Sequence, residues 1–287
     1  MRLAEYLQQH YSPTALASYQ NMIDQFLFFI GDQAAPMAIR ANYQDILDYM
    51  HYLRKQNKHP KTLKNHLYAI KIYYRWLVHT GQRDDHPCQY LYLQDKVNRA
   101  IPLEDLYRPD QLHELLSNYP SSFPHWHRNK VILSLLVHQA LTTLELTRLE
   151  VKHINLERAT ITLEPTVNTQ GRTLPLQGAQ IFLLHTYLTT TRPALCEGSP
   201  ASPLLFLTVR GQPLRVDGVT RTLNVLGIKP LPFKIRQSVI AHLLKQGHDL
   251  RVVQVFAGHR RSASTAAYRQ TGLEELKASI NKLHPLQ

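Results

Sequence analysis

Apolar residues recur at helical spacing through the first 80 residues of this chain, and this periodicity confines that part to a helical fold. The dipeptide Ser12-Pro13 is typical of a helix start, and Gly31 ends the apolar pattern that follows it. A second helix is predicted over residues 43–55 and a third over residues 60–79. We therefore predict a helical first domain at residues 1–86.

The remainder of the chain mixes helices with one β-rich stretch. Residues 87–107 have few periodic apolar positions and are predicted to be a linker, so the second domain covers residues 108–287. Within it, residues 159–163 and 172–176 are rich in β-branched and apolar side chains and are predicted to pair as a hairpin. Helices are predicted from Arg108 onward and over 129–140, 143–149, 179–190, 234–246 and 249–258. The predicted fold class is mainly α with a small β-sheet.

The charge of the chain favours polyanionic partners, with nucleic acid first and an anionic membrane second. The sequence has 33 Lys and Arg against 21 Asp and Glu, a formal charge of +12. Between Asp48 and Asp84 there is no acidic residue, although eight Lys or Arg residues lie there, and this predicts a surface that meets phosphates. Residues 1–105 carry 12 − 10 = +2 and residues 106–287 carry 21 − 11 = +10, so the second domain is expected to dominate the attraction.

The two cysteines and the apolar runs exclude several other classes. Cys88 and Cys196 lie far apart and form neither a disulfide framework nor a zinc motif. The N-terminus lacks a signal-peptide pattern, and the most apolar run, from Val131 to Val137, is too short to span a bilayer. These features predict a cytoplasmic protein without a metal or a membrane partner.

Two runs of the first domain have a recognisable order: Tyr11-Ser-Pro-Thr-Ala-Leu-Ala-Ser-Tyr19, and the longer run from Pro60 to Trp76. They resemble the SAM-like core-binding domain of tyrosine recombinases of the phage integrase type. The resemblance implies that this domain holds one face of a DNA duplex. It also implies phosphate contacts by residues at the start of the later helix, namely Lys61, Thr62, Lys64 and Asn65.

A second ordered set lies near the C-terminus and is similar to the catalytic domain of the same family. Arg236 lies at the start of a predicted helix, Gly258-His259 ends the next one, and Tyr268 follows His259 by nine residues. Residues 273–285 resemble a tail helix that docks on a neighbouring protomer. The resemblance implies a second, α+β domain and a C-shaped clamp of the two domains around DNA.

The chemistry that this resemblance implies is a metal-independent cleavage of DNA, with no cofactor. A tyrosine oxygen attacks the phosphorus, which leaves a 3′-phosphotyrosyl bond and a free 5′-hydroxyl. Two arginines bind the phosphate oxygens, a lysine protonates the leaving oxygen, and histidines orient groups and move protons. Tyr268, His259 and Arg236 are the catalytic residues implied here, and Arg172 and Arg260 are further expected DNA contacts.

The sequence departs from the family pattern at three places. Thr142 stands where the family has the arginine of a Gly-Leu-Arg-x-x-Glu-Leu motif, and Phe233 replaces a histidine three residues before Arg236. The predicted hairpin turn, residues 166–171, contains no lysine. Loss of one preorganised donor costs roughly 100- to 1,000-fold in rate, and loss of a general acid costs about 100- to 10,000-fold. Catalysis is therefore predicted to be impaired.

Two functions stay open on these grounds. The retained Arg236, His259 and Tyr268 favour an active or conditionally active site-specific recombinase. The three departures favour a catalytically impaired accessory subunit that acts in DNA recombination or integration, which we prefer. Both functions imply double-stranded DNA as a partner, and a second copy or a related recombinase bound through the tail helix. Both also imply a cytoplasmic location, at the nucleoid when the protein is bound to DNA.

Overall fold

The computed structural model describes residues 1–31, 36–95, 105–120, 124–198, 201–224 and 230–269. The chain divides into two units, Met1–Asn98 and Arg99–Gln287, and each is described by itself. Helices dominate both units, and one small antiparallel sheet lies in the second, so the predicted fold class is confirmed. Within the described ranges, no helix combines the length and the apolar character needed to cross a bilayer.

The helices of the first unit form where the apolar periodicity predicts them. Helix α2 spans Pro13–Ile30, α4 spans Tyr43–Lys55 and α5 spans Pro60–His79. Pro13 and Pro60 begin their helices, where the N–H that proline lacks has no intrahelical partner in any case. Two short helices, α1 over Leu3–His10 and α3 over Pro36–Arg40, were not predicted.

The core of the first unit is built from α2, α4 and α5. Phe26 lies at its centre, with its ring centroid 5.2 Å from that of Tyr49 and 6.2 Å from that of Tyr74. The Tyr49 hydroxyl lies 3.0 Å from Nδ1 of His66. This histidine of the acid-free stretch is therefore part of the core and not of the exposed surface. Cys88 and Leu91 are buried in the same core. The first part of the predicted linker, 87–107, therefore packs as part of the first unit.

The second unit surrounds α7, which spans Pro124–Gln139. Val131, Ile132, Leu133, Leu135 and Leu136 of this helix are fully buried. The elements that pack against α7 are α6 over Pro109–Ser117, α9 over Gly178–Thr186, a π-helical turn over Tyr187–Thr191, α10 over Arg192–Cys196, α11 over Val216–Leu223 and α12 over Pro232–Lys245. The remaining helices are α8 over Thr143–Arg148, α13 over Leu250–Ala257 and α14 over Ser262–Ala266, with a 3-10 turn over Val151–His153.

The sheet has three antiparallel strands in the order β1-β2-β3, formed by Ile154–Asn155, Thr160–Leu163 and Arg172–Pro175. Thr160 pairs with Pro175 and Leu163 pairs with Arg172, so the predicted hairpin is confirmed. Side chains alternate between the two faces of such a pair. This register directs Leu163 and Arg172 into the protein, and it fixes the turn between them at one edge of the unit.

Candidate active site

Arg236 lies in the second turn of α12 and is almost fully buried. Its Nη1 donates to the carbonyl oxygen of Ala140, and its Nη2 donates to that of Ala257 at 2.6 Å. Burial lowers the pKa of Arg236 from its usual range, and the nearby Glu145 carboxylate opposes that effect. The guanidinium has five N–H donors. Two of its donors therefore join the end of α7 to the end of α13.

His259 directly follows Gly258, which ends α13 with a φ of +68°. Its Nδ1 lies 2.9 Å from the hydroxyl oxygen of Thr265 in α14. Burial first, and then the positive charges of Arg236 and Arg172, lower the pKa of His259 to about 4, although the Glu145 carboxylate opposes this. The ring is therefore neutral at physiological pH, where it can exchange a proton but carries no charge.

Tyr268 follows α14 and is half-buried against Ile240, Val253 and Ala257. Its ring lies parallel to that of His259, with an interplanar angle of 15° and 6.2 Å between the centroids. Burial raises the pKa of the Tyr268 phenol, although the Arg236 charge and a hydrogen bond with Gln237 oppose this. The structure thus brings the three predicted catalytic residues Arg236, His259 and Tyr268 together, with the phenol protonated.

The hairpin turn lies against the Gly258-His259 turn. Gln170 N donates to the Gly258 oxygen at 2.8 Å, and Arg260 Nη2 donates to the Thr166 oxygen at 2.6 Å. The hydroxyls of Thr166 and Thr169 lie 2.8 Å apart and stabilise the turn internally. The turn is therefore placed where its side chains could act on a bound phosphate, but it offers no ammonium group, and Val167 in it is 78% exposed.

Thr142 has a structural role at the start of α8. Its hydroxyl accepts from Glu145 N at 3.2 Å, while Oε2 of Glu145 accepts from Thr142 N at 2.8 Å. This is a capping box, which satisfies two backbone donors that the first turn leaves without a partner. Thr142 therefore supplies no cation to the site. Phe233 is 71% exposed on the first turn of α12, and its ring has no group that can donate to a phosphate.

Arg172, which was predicted to contact DNA, lies buried beside Glu145, and the predicted contact itself stays a prediction. Its side chain is 3% exposed, and its Nη1 donates to Glu145 Oε1 at 2.5 Å. Burial alone raises the pKa of Glu145, but the hydrogen bond and charge of Arg172 outweigh it and hold that pKa below its usual range. Arg172 is therefore held inside the protein by a carboxylate.

The other predicted DNA contacts have exposed side chains, with one exception. Lys61, Lys64 and Asn65 lie on the exposed face of α5, and Thr62 beside them is half-buried. Arg260 is exposed apart from its bond to Thr166. Among the residues that the structure describes, no cluster of three His, Cys, Asp or Glu could hold a metal ion. The predicted tail helix, 273–285, lies outside the described residues.

The sequence reasoning missed the Glu145–Arg172 pair and its contact with Gly258. The sequence did carry a signal for the local contact of Glu145 with Thr142, since Thr142-x-x-Glu145 has the spacing of a capping box. The pairing of Glu145 with Arg172, 27 residues later, depends on the tertiary fold and has no local signal.

Comparison with known families defines the class of protein. The phage integrase family matches residues 106–274, and the N-terminal SAM-like domain of phage integrases matches residues 2–84. The first match alone covers more than half of the 287 residues. The chain therefore belongs to the phage integrase family. The members of this family are tyrosine recombinases, which carry out site-specific DNA recombination.

Its relatives include Xer recombinases from several bacteria. The chain is 26% identical to tyrosine recombinase XerD of Listeria innocua, over 96% of this chain and 93% of the relative. It is 29% identical to tyrosine recombinase XerC of a Roseiflexus species, over 91% of this chain and 84% of the relative.

Solved structures share the fold at lower sequence identity. The integrase of transposon Tn1549, in complex with transposon right end DNA, has a TM-score of 0.68 at 15% identity, with 99% of each chain covered. The site-specific recombinase XerH, bound to a palindromic difH substrate, has a TM-score of 0.68 at 17% identity, with 93% of this chain and 79% of that chain covered. At this identity the likeness concerns the fold alone.

Proposed function

We propose that this protein binds double-stranded DNA in recombination or integration as a catalytically impaired accessory subunit. The observation that carries the proposal is the composition of the site around Arg236, His259 and Tyr268. The three groups that would complete a phosphoryl-transfer site are replaced by a helix cap at Thr142, a turn without lysine, and an exposed Phe233.

The chemistry explains why these replacements matter together. When Tyr268 attacks a phosphorus atom, the P–O bond to the 5′-oxygen breaks, and that oxygen needs a proton. Charge also develops on the non-bridging oxygens, where each preorganised donor contributes roughly 100- to 1,000-fold in rate. Arg236 can supply one such donor. Arg172 cannot replace the missing arginine, because Glu145 holds it inside the protein.

The nearby cations offer no evident substitute for the missing lysine. Lys234 Nζ lies 4.7 Å from the ring centroid of Tyr107, so its charge is engaged by that ring. Arg260 is engaged by the Thr166 oxygen, and an arginine has too high a pKa to be an effective proton donor near pH 7.

One observation favours a second candidate function. Arg236, His259 and Tyr268 lie together, and the rings of His259 and Tyr268 are nearly parallel. An active or conditionally active recombinase would use them to form a 3′-phosphotyrosyl link at Tyr268. In that case a partner subunit or a bound DNA would have to supply the missing donors.

The experiment that separates the two functions is a covalent trapping assay. A duplex site is first selected from random sequence by its binding to the protein, and it is then nicked so that a cleaved strand diffuses away. We expect little or no protein–DNA adduct from the native chain. A strong adduct that disappears in Tyr268→Phe would establish the second function instead.

The proposal includes assembly through the C-terminal segment. Leu273, Leu276, Ile280 and Leu283 would share one face of a helix, and such an apolar stripe needs a groove to cover it. The groove would belong to a second copy or to a related recombinase. A chain that ends at Thr271 should still bind DNA as a single protomer but form no larger complexes in gel shifts. An unchanged ladder of complexes would contradict this part of the proposal.

A further inference from the structure

The ion pair between Arg172 and Glu145 joins two segments that are distant in the sequence. Among the described ion pairs it has the least exposed side chains, 3% for Arg172 and 1% for Glu145. Glu145 lies in α8 and Arg172 begins β3. A buried charge has to be satisfied within the protein, so this pair fixes the distance between α8 and the hairpin.

The guanidinium of Arg172 also lies against Gly258. A Cβ atom at Gly258 would come within 2.5 Å of Arg172 Nη1 and 3.0 Å of its Cζ, closer than any side chain allows. Gly258 also has a φ of +68°, which favours glycine. The position is therefore doubly restricted to glycine, by its backbone conformation and by the arginine packed on it.

The same two segments are joined by backbone contacts on both sides of this point. Gln170 N donates to the Gly258 oxygen, and Thr169 forms an isolated bridge with His259. Arg172 Nη1 lies 3.4 Å from the Gln170 oxygen, so it also braces the turn from within. The position of His259 thus depends on the hairpin turn, which in turn depends on Arg172.

We propose that Arg172 is a positioning residue whose guanidinium, held by Glu145 and seated on Gly258, fixes the hairpin turn and His259 relative to each other. Arg172 would have this role whether or not Tyr268 cleaves DNA. A planar guanidinium with five N–H donors can pair with the Glu145 carboxylate while it fills the space beside Gly258, whereas the single ammonium of lysine cannot do both. We therefore assign Arg172 to the architecture of the site and not to contact with phosphate.

Hydrogen exchange at the Gln170 amide tests this directly, because that amide bonds to Gly258. In Arg172→Gln we expect Gln170 to exchange at least about 100-fold faster, since Glu145 is left without its partner and the turn opens locally. The amides of α7 exchange only when the whole unit unfolds, so their exchange rates should change far less. Arg172→Lys should behave like Arg172→Gln.

A matched control is available at another buried arginine. Arg128 is buried in the same unit, and its Nη1 donates to the Leu207 oxygen at 2.7 Å. Arg128→Gln should lower the global stability of the unit without opening Gln170 separately. If Gln170 and the α7 amides respond alike in Arg172→Gln and Arg128→Gln, Arg172 is merely one more stabilising residue and the proposal fails.

Two further variants keep the test decisive if Arg172→Gln does not fold. Glu145→Gln combined with Arg172→Gln removes both charges, and Gln170 should still exchange rapidly while α7 stays protected. Gly258→Ala should open Gln170 by displacing the guanidinium. Its control is Gly247→Ala, where φ is +86° but no atom lies within 4 Å of the added Cβ. Normal protection of Gln170 in either the double variant or Gly258→Ala would overturn the assignment.

Discussion

The exposed face of α5 and the candidate active site both concentrate positive charge, but they hold it in opposite ways. Lys61 and Lys64 on α5 are exposed, and no ion pair is described for either of them. Arg172 and Arg236 are buried, and carboxylate or carbonyl oxygens accept their hydrogen bonds. Exposed cations attract phosphates over a Debye length, whereas buried and paired cations fix geometry. The first region is thus suited to attraction of DNA, and the second to a defined arrangement of the site.

The salt dependence of DNA binding is the largest effect that this comparison predicts. If six or more phosphates are neutralised, raising salt from about 50 to 200 mM should weaken binding by about 1,000-fold or more. Fluorescence anisotropy with a labelled duplex of random sequence measures it. The melting temperature of the protein should hardly change over the same range, because buried pairs are little screened. A binding constant that moved less than about tenfold would show that exposed cations do not drive binding.

Restoring the missing groups tests the buried region by gain of function. Thr142→Arg combined with Phe233→His should raise the adduct level on the nicked duplex by about 100- to 1,000-fold over background. Part of that gain will be offset, because Thr142 caps α8 and loss of such a cap costs about 1 kcal/mol. The same changes in a Tyr268→Phe background are the control and should give no adduct. A restored chain that forms no adduct would show that these two donors alone are insufficient. A lysine in the hairpin turn is then the next group to add.

Charge reversal on α5 should have a smaller, uniform effect. Lys61→Glu with Lys64→Glu should weaken binding by about 10- to 100-fold on every sequence tested and lower the salt slope by about two, since phosphate contacts position the protein and do not specify bases. Arg40→Glu changes an exposed cation outside α5 and serves as the matched control. Arg172→Gln should leave the salt slope unchanged. Equal losses from all of these variants would remove the distinction between the two regions.

The comparison also shows what sequence could and could not predict. Apolar periodicity gave the bounds of α4 and α5, because each helix buries one continuous stripe and begins at a cap or a proline. The acid-free stretch overstated the available charge, since Arg54 pairs with Asp95 and Arg83 pairs with Asp85, both from outside the stretch. Asp95 lies 41 residues from Arg54 and is brought to it by packing, which no local pattern reports, whereas Asp85 lies only two residues from Arg83.

The candidate site divides in the same way. The order Arg236, His259, Tyr268 was readable from motif spacing, and the structure brings these residues together. The role of Arg172 was not readable, because a basic residue beside a turn has the same local sequence whether it faces solvent or a carboxylate. Only the fold places Glu145 within 2.5 Å of it.

The pH dependence of stability is the smallest predicted effect and probes the buried region alone. The pKa of His259 is lowered to about 4 in the folded protein, against about 6.5 for an unperturbed histidine. The unfolded chain binds the proton of this histidine more tightly than the folded chain does. The contribution of His259 to the free energy of unfolding is therefore fully present above pH 6.5. It falls as the pH drops through 6.5 toward 4. Between pH 7.5 and 5.5 the loss should be about 1.4 kcal/mol, which is about tenfold in the unfolding equilibrium.

His259→Gln isolates that contribution from those of the other buried histidines. His66, His86, His127 and His138 also have lowered pKa values, so the native protein loses stability on acidification for several reasons at once. The variant should therefore show a shallower decline, and the difference between the two curves is the His259 contribution. Urea unfolding at each pH measures both curves when Trp76→Phe is present in both chains, so that the fluorescence of Trp126 reports the second unit alone. Parallel curves would mean that His259 titrates as in solution, and that the cations of Arg172 and Arg236 do not act on its ring.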